Sequence, residues 1–273
     1  GVHPRRLHAL CRRTDSLLAK GRCTGKDLSR LVGSWTWAAL VRRPAFSVFS
    51  AVYRFIDTAG GMTFDIWPSV RRELTLICGL APLLLAHLDA PFADEIFAFD
   101  ASSTGEGVAV AAVSAVRQRA MARVRLPTSP PDPTLPPTLT DVPWYVVVAA
   151  PFAVPEHINV LEARAALTSV RRAASRPACC GCRLIGWSDS LVVAAAVNKG
   201  RSSSFQLLGL LRSVAATLLA SRIALQLNWV PTSHNPADEP SRRFHRHRPL
   251  FGSQLGKQYS SNTMKDGPSF LQQ

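Results

Sequence analysis

The chain has 273 residues, 47% of them apolar and 18% charged, which is enough to bury a sizeable core and too apolar for a disordered polymer. Lys and Arg number 32 against 18 Asp and Glu, a formal charge of +14, which favours a polyanionic partner: nucleic acid first, an anionic membrane surface second. The longest apolar stretch, residues 74–88, is about 15 residues long and holds Pro82 and His87; it is too short to span a bilayer, reads as a buried helix and predicts no membrane partner.

The N-terminal residues lack the apolar core of a signal peptide, and Gly1 in place of Met implies a piece of a longer chain. Six cysteines occur without framework spacing, as expected of reduced thiols in the cytoplasm or nucleus. The cluster Cys179, Cys180 and Cys182 has no partner pair to complete a zinc site.

In chain order, residues 1–92 read as helical. Leu28, Leu31, Val32, Trp35 and Ala39 form one stripe at spacings of three and four, predicting a helix over 27–40. Further helices are expected over 45–56, stopped by Gly60-Gly61, and over 67–88. Arginines and lysines from Arg12 to Arg72 make this region basic, either as a solvated face or as a track for a nucleic-acid backbone.

The period changes at residue 95. Strands are expected over 95–101 and 108–116, residues 119–126 pair back as part of a hairpin, and a further strand covers 144–150. Between these lie seven prolines among residues 127–143, an extended surface loop. Helices are predicted over 160–175, 190–198 and 205–221, strands over 183–187 and 223–230, and a short helix over 235–243. Strands in hairpins first, then strands separated by helices, imply an α/β fold with a mixed five-stranded sheet flanked by helices. Residues 93–243 are thus expected to form one domain, and polar, aperiodic residues 244–273 a disordered tail.

Acids are scarce in the second domain, so their places carry information. Asp100 interrupts an apolar strand, where a lone carboxylate is costly unless paired or bound to a cation. Glu162 sits on a helix whose stripe of Ala166, Ser169 and Ala173 is small enough to approach the sheet closely. Asp189 follows the apolar run 184–187, and Asp238 opens the last helix. Singly each has an ordinary reading as a helix cap or a solvated side chain. Together they suit phosphodiester hydrolysis, in which two hard divalent ions need a few oxygen ligands and no side-chain nucleophile.

Four motifs carry a resemblance. They are Phe97-Ala98-Phe99-Asp100-Ala101-Ser102 with Gly105 and Gly107; Ile158-Asn159-Val160-Leu161-Glu162-Ala163; Gly186-Trp187-Ser188-Asp189-Ser190; and Trp229-Val230-Pro231 with residues 234–242. In this order they resemble the ribonuclease H domains of retroelements, the last block looking especially like hepadnavirus polymerases and tyrosine-recombinase retrotransposons. Residues 28–37 and 43–53 resemble the thumb and connection of a reverse transcriptase. No Tyr-x-Asp-Asp motif occurs, so the chain lacks a polymerase signature.

The resemblance implies a ribonuclease H-like fold and cleavage of the RNA strand of RNA–DNA hybrids. The polymerase part of the same polyprotein would be its partner. It implies that Asp100, Glu162, Asp189 and Asp238 ligate two Mg²⁺ ions, with Mn²⁺ as a substitute. It also makes His234 an aid to proton transfer or product release, and places Ser102, Ser190, Asn235 and Arg242 at the substrate. Ser190 departs from the usual Asn after the third acid. Two rivals remain: an inactive or domesticated copy that grips nucleic acid without cutting, and a transposase-type nuclease, which would carry its glutamate last.

Overall fold

The structure, a computed structural model, describes residues 2–127, 139 and 141–244. Most of the proline-rich segment and nearly all of the expected tail therefore lie outside the described residues.

Four helices build the first part of the chain: α1 (Pro4–Lys20), α2 (Gly25–Ala39), α3 (Ala51–Ala59) and α4 (Pro68–Leu80). Thr24 caps α2 with a reciprocal Thr24–Asp27 box, which fixes where that helix starts. The apolar stripe expected there is real: Leu28, Leu31, Val32 and Trp35 are buried. The helix expected over 45–56 is instead a 3-10 segment, Leu40–Val48, followed by α3, because Pro44 removes a backbone donor. Pro82 likewise shortens the expected 67–88 helix, so α4 ends at Leu80. Two three-residue strands, β1 (Arg22–Thr24) and β2 (Thr63–Asp65), pair antiparallel beside these helices; nothing in the sequence pattern announced them.

The second part follows the expected order except for a helix, α5, between its second and third strands. It comprises β3 (Glu95–Ala101), β4 (Gly105–Ala112), α5 (Ala115–Met121), β5 (Tyr145–Pro151), α6 (Ile158–Ala174), β6 (Arg183–Ser188), α7 (Leu191–Lys199), α8 (Phe205–Ala220), β7 (Ala224–Trp229) and α9 (Asp238–Arg242). The sheet order is β5-β4-β3-β6-β7, antiparallel across β5-β4-β3 and parallel across β3-β6-β7. This is the mixed five-stranded sheet flanked by helices, preceded by a helical region. One face packs Phe97, Phe99, Val108 and Leu184 against α6, α7 and α8; the other packs Ile96, Ala98, Ile185 and Trp187 against Met121 and Val230.

One expectation fails. Residues 119–126 do not return as a strand; α5 ends over 119–121, and a turn and irregular backbone follow it. Ser114 accepts a hydrogen bond from the Arg117 amide as its N-cap, and the buried Gln118 donates to the Ala93 and Val113 carbonyls. A polar side chain satisfied inside the fold overrode the local apolar pattern.

The two parts meet through buried and partly buried polar contacts. Arg42 donates to the Leu218 and Ile223 carbonyls at the end of α8, and Arg212 of α8 donates to the Ser47 and Val48 carbonyls and to Glu73. Among the described residues no helix is long and apolar enough to cross a membrane.

Candidate metal centre

Parallel neighbours β3 and β6 end on the same side of the sheet, where strand ends in α/β folds open a crevice. Asp100 is the sixth residue of β3, and Asp189 directly follows β6. Glu162 reaches the same place from the first turns of α6. That helix buries Ala166, Ser169 and Ala173, the small stripe that lets it lie close to the sheet. As a result, one ligand atom from each of Asp100, Glu162 and Asp189 lies within 4.8 Å of the others.

The electrostatics are unusual for a resting fold. Asp100 and Glu162 are 3% and 7% exposed, and Glu162 Oε2 is buried with no hydrogen-bond partner. Burial first, and the neighbouring carboxylates second, push the Glu162 carboxyl up to about 9. Burial also drives Asp100 up, to about 7, with Asp189 and Asp238 adding to the rise while the Ser241 hydroxyl counters it. Arg242 hydrogen-bonds to Asp238, and its charge also acts on Asp100 and Asp189. Three hard oxygen donors, one of them orphaned, fit a divalent cation of the Mg²⁺ class.

The fourth expected acid stands apart. Asp238 is absent from the close group, and its Oδ1 accepts from both Nε and Nη2 of Arg242, at 2.9 and 2.6 Å. Its charge still acts on Asp100. The other expected site residues fall in several environments. His234 is exposed in a 3-10 turn, and Ser190 caps α7 by accepting from the Val193 amide. Arg242 is engaged with Asp238. Ser102 is buried in the β3–β4 turn, accepting from the Gly105 amide and donating to the Ser241 carbonyl. Asn235 is buried as well. Its amide nitrogen donates to the Phe99 carbonyl and to Asp189 Oδ1, and its oxygen accepts from the Ala237 amide. It therefore ties β3, the third acid and the turn into α9 together.

Ser241 carries a role that the sequence did not reveal. Its hydroxyl, fully buried, donates to Asp100 Oδ2. Two glycines make that contact possible. A Cβ on Gly107 would meet the Ala237 carbonyl oxygen at 2.4 Å, and one on Gly105 the Ser241 carbonyl oxygen at 2.9 Å. Only bare backbone in β4 lets α9 sit this close to the hairpin. The glycines beside Asp100 were the available signal, and the sequence carried them only as part of the first motif.

No family model matches the chain, and no curated protein matches it. Among solved structures, the N-terminal RNase H domain of a Mycobacterium tuberculosis protein, fused to maltose-binding protein, is similar at 17% identity and a TM-score of 0.32. That alignment covers 53% of this chain and 92% of that one. A foamy viral protease-reverse transcriptase in complex with RNA/DNA hybrid is similar at 10% identity and a TM-score of 0.25. Here the alignment covers 77% of this chain and 46% of that one.

Proposed function

We propose that the chain is a metal-dependent nuclease that hydrolyses the RNA strand of RNA–DNA hybrids, as the ribonuclease H part of a retroelement reverse transcriptase. The observation that carries the reading is the meeting of Asp100, Glu162 and Asp189 from three separate elements with a buried, unpartnered Glu162 oxygen. The motif order of the four acids supplies the substrate class.

A pair of divalent ions, when bound, supplies an activated water and stabilises the charge on the attacking and leaving oxygens. Asp100, Glu162 and Asp189 would hold them, with Asp238 as the fourth ligand once Arg242 releases it. Asn235 fixes the Asp189 carboxylate through a 3.2 Å hydrogen bond, and Ser241 fixes that of Asp100. Such partners keep ligands aimed and typically matter 10–100-fold. His234, exposed in the turn before α9, would aid proton transfer or product release. The basic balance of the chain would hold the polyanionic hybrid.

The test is cleavage of an end-labelled RNA–DNA hybrid in Mg²⁺ or Mn²⁺. Cutting of the RNA strand is expected, with rates reduced more than about a hundredfold in Asp100→Asn and Asp189→Asn, beyond the loss from an outer partner. Unchanged cutting in both variants would sink the proposal. Tight hybrid binding with no metal-dependent cutting would favour the domesticated binding module.

A further inference from the structure

Away from the acidic cluster, α1 and α2 enclose a groove of about 580 Å³ lined wholly by residues of these helices and Val2. Two facing stripes form its walls. Arg6, Ala9, Leu10 and Arg13 recur at helical spacing on α1; Arg30, Gly33, Ser34 and Trp37 do so on α2. The three arginines are exposed, and among the described residues Arg30 alone of them pairs with an acid, Asp27 at 3.8 Å. Trp37 presents its ring to solvent at 57% exposure, an uncommon state for the largest aromatic. Gly33 opens the floor, since a Cβ there would meet nothing within 4 Å.

The groove is held in shape from beneath. The indole Nε1 of the fully buried Trp35 donates to Thr14 Oγ1 at 3.0 Å, locking α2 to α1. Two tryptophans two residues apart on α2 thus divide the labour: Trp35 binds the helices together and Trp37 faces outward.

We infer that this groove binds single-stranded nucleic acid, with Arg6, Arg13 and Arg30 against successive phosphates and a base stacked on Trp37. The chemistry points to this occupant. Guanidiniums on both walls suit a phosphate backbone passing between them, and an exposed ring gives a stacking platform indifferent to base identity. An anionic membrane would be met by a convex apolar face, whereas these residues line a concavity. The site is independent of the metal centre, so it stands or falls separately from hybrid cleavage.

The test uses the full chain in EDTA, which silences any metal-dependent cutting, and a fluorescently labelled 12-nucleotide oligo(dT) read by anisotropy. Trp37→Ala is expected to weaken binding about fivefold or more, the loss of one stacked base. The triple change of Arg6, Arg13 and Arg30 to Ala is expected to lower the slope of log affinity against log salt by about 2, since each phosphate contact on a single strand contributes about 0.7. A blunt DNA duplex of equal length is expected to be insensitive to Trp37→Ala. Gly33→Leu fills the groove and provides a second variant whose exposed position leaves the fold intact; it too should weaken oligo(dT) binding. Unchanged oligo(dT) affinity in Trp37→Ala and Gly33→Leu would overturn the inference. So would loss of binding to phosphatidylserine vesicles in the arginine variant with oligo(dT) affinity retained.

Discussion

Two buried glutamates, one in each part of the chain, show opposite treatments of the same charge. Glu73 on α4 is 8% exposed and Glu162 on α6 is 7% exposed. Glu73 accepts from the amides of Ser50, Ala51 and Val52 and from Arg212, so its carboxylate caps α3 and joins α8 to the helical region. Glu162 has one oxygen without any partner and faces two further carboxylates. A buried charge with four donors is a structural joint. A buried charge left among like charges is unstable on its own, and that marks a place for a cation.

The comparison breaks most sharply on activity and stability together. Glu162→Gln is expected to remove hybrid cleavage by more than about a hundredfold, since it neutralises a proposed metal ligand. It should also stabilise the metal-free chain at alkaline pH, which no essential structural group would do. Glu73→Ala is expected to do the reverse. It strips three helix-start amides and Arg212 of their acceptor, costing about 3 kcal/mol in denaturant unfolding. Loss of stability in Glu162→Gln comparable to that in Glu73→Ala would erase the distinction.

Smaller effects sharpen it. Ser241→Ala removes the hydrogen bond on Asp100 and is expected to slow cleavage about tenfold without unfolding the chain. Gly107→Ala pushes a methyl group into the Ala237 carbonyl, and an overpacking cost of about 1–3 kcal/mol is expected, with α9 displaced from the hairpin. Wild-type cleavage rates in both would separate α9 from the site.

The pH dependence follows from the raised carboxyls. In the fold Glu162 holds its proton up to about 9, against 4.5 ordinarily, and Asp100 up to about 7, against 3.8. The folded state therefore binds these protons more tightly than the unfolded chain. Their contribution is fully present below about pH 4 and is lost as pH rises towards 9. The melting temperature of the metal-free chain is expected to fall over this range. Glu162→Gln should flatten the fall, and a curve identical to wild type would contradict the assignment.

The elements legible in advance were those with a strong period or a sharp composition change. The strands around Phe97 and Ile185 and the helix carrying Glu162 lie within a few residues of their expected bounds. Three of the four acids meet because their positions depend on those elements. What escaped depends on contacts between residues far apart in the chain. Gln118 carries no signal in the sequence until the Ala93 carbonyl is brought to it, 25 positions away. The resemblance places Asn235 at the substrate; its amide's hold on β3 and Asp189, 136 and 46 positions distant, had no signal in the sequence. Ser241, one hydroxyl in a charged helix, gains its role only when Gly105 and Gly107 admit α9. The pairing of β1 with β2 spans three residues on each side, too short for any periodic signal.

The central claim is that the buried acids await a divalent cation, and calorimetric titration with Mn²⁺ near pH 7.5 tests it most directly. Measured in two buffers of different ionisation enthalpy, binding should release about one proton per chain, because Glu162 must give up its proton to ligate. In Glu162→Gln the proton release should disappear and the affinity fall. Binding that releases no proton, or that is unchanged in Glu162→Gln, would contradict the account.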